Sequence, residues 1–161
     1  MNIAEMIVTL PNEVLVQKAT TISKKDLKEL SAILSKTRQY VENTEHAAGL
    51  ALPQLGISKR AFVAKIRTND KETTEIFINP RILPFDKEKK AGIEGCLSIP
   101  NEDFTVERFY GVEIMYQGLN GKTKKIKLKG FNARVVQHEY DHLNGVLISE
   151  IGKPIELKNA Q

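Results

Sequence analysis

Apolar positions recur along this chain in two rhythms. Leu27, Leu30, Leu34 and Val41 return at helical spacing, with Lys28, Glu29, Lys36 and Arg38 on the other side. They predict one amphipathic helix over residues 24–43, with Ser23 as N-cap and Asp26 at the third helical position. Ala61 to Ile66 and Thr73 to Asn79 read as two strands around a polar turn, Arg67 to Glu72, and Asn79-Pro80 ends the second. Residues 85–91 read as a charged loop. Val112, Ile114 and Tyr116 alternate, as do Ile126 and Leu128 after Asn120-Gly121, which is a hairpin signal. Met6 to Leu10 alternates weakly before Pro11-Asn12. The strip Ala47 to Gly56 is small, apolar and bounded by glycine, and Pro53 argues against a helix through it. A second helix is predicted over Ala133, Val135, Val136 and Leu143, apolar on more than one side and therefore buried, with Asn132 as N-cap and Gly145 as C′ stop. The expected fold class is α+β: antiparallel β-sheets packed around a central buried helix, plus one N-terminal amphipathic helix. Residues 1–161 fit a single domain, with 149–161 a short polar tail.

Composition narrows the class. With 41% hydrophobic and 27% charged residues the chain is of globular rather than disordered type. Its net charge of +4 comes from scattered lysines not interleaved with aromatics in the sequence, which reads as solvated surface rather than a direct nucleic-acid site. The longest apolar run, Ala47 to Pro53, is too short to cross a bilayer, and no secretory signal is visible ahead of Glu5. A single cysteine excludes an internal disulfide and suits a reducing cytoplasm.

The chemistry is expected on the second helix. His138 and His142 stand four apart, so a helix places both imidazoles on one face, able to share a metal ion, with Glu139 beside the first. A catalytic metal usually takes three protein ligands and keeps one position open. Candidates for the third are Cys96, His46 and several carboxylates; Gly95 beside Cys96 would allow close approach, while His46 reads as exposed. A buried, inert Cys96 and a nucleophilic Cys-His pair are the competing readings of that thiol. Two imidazoles and a thiolate on one metal, with a carboxylate alongside, suggest hydrolysis of a carbonyl compound. Glu139 would take the water proton, and Gln54 and the Leu97 backbone N–H are suitable oxyanion donors.

Three strips in this order resemble the peptide deformylase family: Ala47 to Gln54, Glu94-Gly95-Cys96-Leu97-Ser98, and Gln137-His138-Glu139-Tyr140-Asp141-His142. The resemblance covers nearly the whole chain and implies metal-dependent removal of the N-formyl group from formyl-methionine on nascent polypeptides, releasing formate. It implies Cys96, His138 and His142 as metal ligands, Glu139 as general base and acid for attack by metal-bound water, and Gln54 with Leu97 on the oxyanion. It further implies Fe²⁺ as the metal, with Zn²⁺ or Ni²⁺ as substitutes. Substrate would bind as an added strand along Ala48 and Gly49, with Phe131 and Val135 walling the methionine pocket beside His138. Glu94, Arg108 and Asp141 would orient the ligands and hold the helix. The partners implied are the formyl-Met peptide and a transient encounter with the ribosome, with no membrane. A cytoplasmic location is expected, an organellar or phage-encoded origin being left open. Three positions depart from the family pattern: Ala47 and Leu52 add bulk expected to narrow the cleft, and Asp103 stands where some members place arginine. They keep a silent formyl-peptide binder in play, whereas a zinc endopeptidase would need a different third ligand.

Overall fold

The computed structural model describes residues 2–156. Its helices are α1 (Ile3–Met6), α2 (Lys24–Glu42), α3 (Phe131–Leu143) and α4 (Ile148–Ile151). Its strands are β1 (Gly49–Ala51), β2 (Ala61–Thr68), β3 (Lys71–Pro84), β4 (Lys89–Cys96), β5 (Ile99–Phe109), β6 (Gly111–Gln117), β7 (Thr123–Lys129) and β8 (Lys153–Pro154). All named strand pairs are antiparallel, in a five-stranded sheet of order β1-β2-β3-β6-β7 and a three-stranded sheet of order β4-β5-β8. The mixed α+β expectation holds.

Strand β2 shows how the layers form. Its side chains alternate between faces, and both faces are covered. Phe62, Ala64 and Ile66 pack toward α3 with Ala133, Val136 and Leu143. Ala61 and Val63 pack toward α2 with Leu34 and Val41. The large sheet therefore lies between the two long helices. A third cluster, with Leu15, Phe104, Val106 and Ile148, closes the small sheet.

Helix α2 opens on a capping box in which Ser23 Oγ and Asp26 each accept from the other's backbone N–H. Helix α3 ends on Gly145, whose φ of 69° lets its N–H reach His142 O at 3.2 Å while Val146 N–H reaches Asp141 O at 2.9 Å. Its N-cap is Gly130, not Asn132. The Asn132 amide instead clamps the backbone of Arg67 on β2, accepting at 2.9 Å and donating at 2.7 Å.

Several other expectations are corrected. Residues 3–6 form a helical turn, and the weak alternation of Met6 to Leu10 corresponds to irregular chain after it. The β2–β3 turn shrinks to Asn69-Asp70, both left-handed at φ 44° and 66°, which suits the twist of a hairpin. Strand β3 does not stop at Asn79-Pro80. It shifts register between Ile78 and Arg81 and continues to Pro84 against β6. Lys89 to Ala91 belong to β4, and the stretch after Cys96 turns into the long strand β5. Pro53 sits in a single 3₁₀ turn, Leu52–Leu55, where its missing N–H costs nothing because the first turn has no intrahelical acceptor for it. The segment after Leu147 forms α4 and then β8, paired with β5 through Phe104 and Thr105. The rest of the tail, 157–161, lies outside the described residues. None of the described helices is long and apolar enough to cross a membrane.

Candidate functional site

The two sheets and α3 meet at a cavity of about 520 Å³ lined by Ala48, Gly49, Gln54, Cys96, Leu97, Phe131, Val135, His138 and Glu139, among others. Every residue expected to contact substrate or oxyanion is in that lining. His142 lies behind it, 2% exposed.

Ligand-type atoms of Cys96, His138 and His142 all fall within 4.8 Å of one another. Cys96 comes from the end of β4, where the register breaks between Gly95 and Cys96. Its Sγ lies 3.4 Å from His142 Nε2. Glu94 Oε1 sits 2.8 Å from His138 Nδ1, so that nitrogen donates to the carboxylate and Nε2 is the atom left to serve as a ligand. His46 stays exposed at the rim of the cavity and is not drawn into the cluster.

Glu94, 7% exposed, is the hub behind the cluster. It accepts a two-pronged bond from Arg108 at 3.0 and 2.9 Å and a third cationic contact from Arg134 Nη1 at 2.6 Å. Burial would raise its pKa, but the His138 and Arg108 hydrogen bonds outweigh burial and hold it down at about 2. Arg108 also pairs with Asp141 on α3, so one guanidinium ties β5 to both β4 and the helix. Arg134, on α3, joins this network without any local signal in the sequence. Its guanidinium also donates to Val106 O and Lys90 O, and it occupies the space a Cβ on Gly92 would need, 2.7 Å from Cζ. Gly92 facing a helical arginine was the only signal, and it requires the fold to be visible.

Glu139 is 4% exposed. Burial raises its pKa to about 7, the His138 charge opposing. For His138 burial pulls down, but hydrogen bonds to Cys96 and Glu94 and the charge of Glu139 lift it to about 10. For His142 burial and the neighbouring cations push the pKa well below the usual value. Among the described residues, two buried side-chain atoms have no hydrogen-bond partner: Glu139 Oε2 and His142 Nδ1. An unpartnered carboxylate oxygen in a dry site is costly unless a ligand or water meets it.

Gly49 is obligatory here. A Cβ would stand 2.8 Å from Val63 O and 2.9 Å from Glu139 Oε1. Gln54, 2% exposed, accepts from Ala51 N–H at 3.0 Å and donates Nε2 to Ser98 Oγ at 3.2 Å, with Cys96 Sγ at 3.6 Å. Its amide is thereby turned with the donor end toward the thiol.

The residues fit a divalent first-row cation. A thiolate and two imidazoles are the donor set such an ion prefers, three ligands leave a position open, and Glu94 already engages His138 Nδ1, which leaves Nε2 for the ion. Of the departures, Ala47 lines the cavity, but Leu52 is buried in the α2 cluster and does not narrow it. Asp103 is exposed on β5 opposite Gly95 and is not part of the lining.

The polypeptide deformylase family model matches residues 4–157. A peptide deformylase of Thermotoga neapolitana is 38% identical over 143 residues, covering 88% of this chain and 82% of that one. The crystal structure of peptide deformylase from Thermotoga maritima superposes with a TM-score of 0.81 at 36% identity, covering 90% of this chain and 95% of that one. A Met-Ala-Ser-bound class I type b peptide deformylase from Acinetobacter baumannii gives 0.79 at 34% identity, covering 89% and 95%. Motifs, fold and relatives agree, and the chain belongs to the polypeptide deformylase family.

Proposed function

We propose that this protein hydrolyses the N-formyl group of formyl-methionine at the start of nascent polypeptides and releases formate. The observation that carries the reading is the convergence of Cys96, His138 and His142 within 4.8 Å at the floor of a cleft that also holds the unpartnered Glu139 carboxylate. Cys96, His138 and His142 would hold the metal, Fe²⁺ by our reading, with Zn²⁺ or Ni²⁺ able to replace it. When bound, the ion supplies Lewis acidity, making water a nucleophile near neutral pH and polarising the formyl carbonyl. The remaining work falls to the chain. Glu139 accepts the proton of the attacking water and delivers it to the leaving amine nitrogen. The Gln54 amide and the Leu97 N–H stabilise the oxyanion formed at the formyl carbon. Ala48 and Gly49 offer backbone to the peptide, and Phe131 and Val135 receive the methionine side chain. Glu94, Arg108 and Asp141 keep the imidazoles and α3 in place.

The whole of 1–161 acts as one catalytic domain in this reading. Its partners are the formyl-Met peptide and, in passing, the ribosome. A reducing cytoplasm would keep the Cys96 thiol free to ligate.

Appearance of the free α-amine of Met-Ala-Ser from formyl-Met-Ala-Ser, together with formate, tests the reading in protein loaded anaerobically with iron, acetyl-Met-Ala-Ser serving as control. Deacylation of the formyl peptide alone supports it. No deacylation of either, at full metal occupancy, favours a silent formyl-peptide binder instead.

A further inference from the structure

A second cavity, about 710 Å³, is lined in part by Tyr140 and Asn144 at the C-terminal end of α3, shares no lining residue with the cleft, and is not used by the proposed reaction. Three cationic side chains line it: Lys18, Arg60 and Arg81. No Asp or Glu lines it, and among the described residues none of the three has a carboxylate within 4.0 Å. Their neighbours in the chain differ: Lys59, beside Arg60, pairs with Asp26, and Arg67, at the far end of β2, pairs with Glu72. Three uncompensated cations around one concavity repel each other and attract an anion.

The fold builds this arrangement. Asn79, a left-handed residue at φ 49°, marks the register break in β3 that precedes Arg81. Its side chain is fixed at both ends, accepting from Ile22 N–H at 2.8 Å and donating to Ile22 O at 2.9 Å and Gln117 Oε1 at 3.1 Å. A bulge braced this way re-aims the side chains of the residues after it, and such bulges gather at functional sites. Arg60 is braced as well. Its Nη1 donates to Leu143 O at 2.8 Å and to Ala19 O at 3.4 Å, its guanidinium lies over the Tyr140 ring at 5.7 Å, and its Nε and Nη2 have no protein acceptor among the described residues. A guanidinium held in place with unused donors is prepared for an oxyanion.

We infer that this cavity binds the phosphate of a small phosphomonoester. Two guanidiniums and an ammonium match a dianionic head with three equivalent oxygens better than a carboxylate. Tyr140 and Asn144 line the same cavity and offer a flat apolar face and an amide to the rest of the molecule, and the volume suits a mononucleotide-sized ligand.

The test is calorimetric titration of the metal-loaded protein at low ionic strength with three probes: inorganic phosphate, adenosine 5′-monophosphate and adenosine. Saturable binding of the first two and none of adenosine is expected. Lys18→Ser with Arg81→Ser should weaken both at least tenfold, leaving thermal midpoint and phosphate-free formate release unchanged, because both side chains are exposed and outside the cleft. Should that double variant fail to fold, Arg81→Glu alone should abolish binding. Absence of saturable phosphate binding, binding of adenosine equal to its phosphate, or binding that survives both variants (as it would on the catalytic metal) overturns the inference. Since the readout is binding at this second cavity, its failure leaves the deformylase reading untouched.

Discussion

Glu94 carries more of the site than any residue outside the three ligand types. One buried carboxylate receives Arg108, Arg134 and the Nδ1–H of His138, and these partners keep it ionised. Glu94→Gln preserves shape but removes the negative charge that accepts the His138 Nδ1–H, orients the ring and makes Nε2 a stronger ligand. Metal affinity is expected to fall 10- to 100-fold, the usual effect of losing such a partner, and competition with a chelator measures it. At this scale the sequence was informative where chemistry is written in spacing. His138, Glu139 and His142 could be read directly, and Cys96 stood out as the lone cysteine beside a glycine. Arg134 could not be read, because an arginine one turn before a histidine resembles any solvated helical cation until Glu94 and Gly92 are brought against it.

Among the elements, helices showed themselves better than strands. The capping box of α2 and the glycine stop of α3 are local signals and sit where expected. Strand β3 runs past Asn79-Pro80 because pairing with β6 and a bulge absorb a dipeptide that usually ends a strand. Strand β5 is not legible in the sequence because the polar residues of Asn101 to Asp103 hide a segment that both β4 and β8 hold in place. Two predictions concern these joints. Arg108, 6% exposed, ties β4 and β5 to α3, and Arg108→Met would leave Glu94 and Asp141 facing each other without their shared cation. A loss of about 3–5 kcal/mol in denaturant unfolding is expected. The second concerns Asp26, whose pKa the Ser23 N–H and Lys59 lower from 3.8 to about 2. A depressed acid stabilises the fold above its unfolded pKa and ceases to do so as pH falls from about 3.8 toward 2. The thermal midpoint of Asp26→Asn should therefore lie below that of the parent near neutral pH, and the gap should close across that window.

For the molecule as a whole, two helices clasp a sheet, and a second small sheet brings Cys96 to the histidine-bearing face of α3. This assembly makes a hydrolytic site from residues 42 to 46 positions apart in the chain. The periodicities pointed to an α+β fold, but not to the division into two sheets, which depends on long-range pairing such as β3 with β6. The central claim is that Glu139 moves the proton while Cys96, His138 and His142 hold the ion. The most direct measurement compares formate release by the parent and by Glu139→Gln at equal, measured metal occupancy. The account predicts retained metal and a rate lower by about 10²–10⁴-fold in the variant. A Glu139→Gln protein that binds metal fully and still turns over near the parental rate would contradict it.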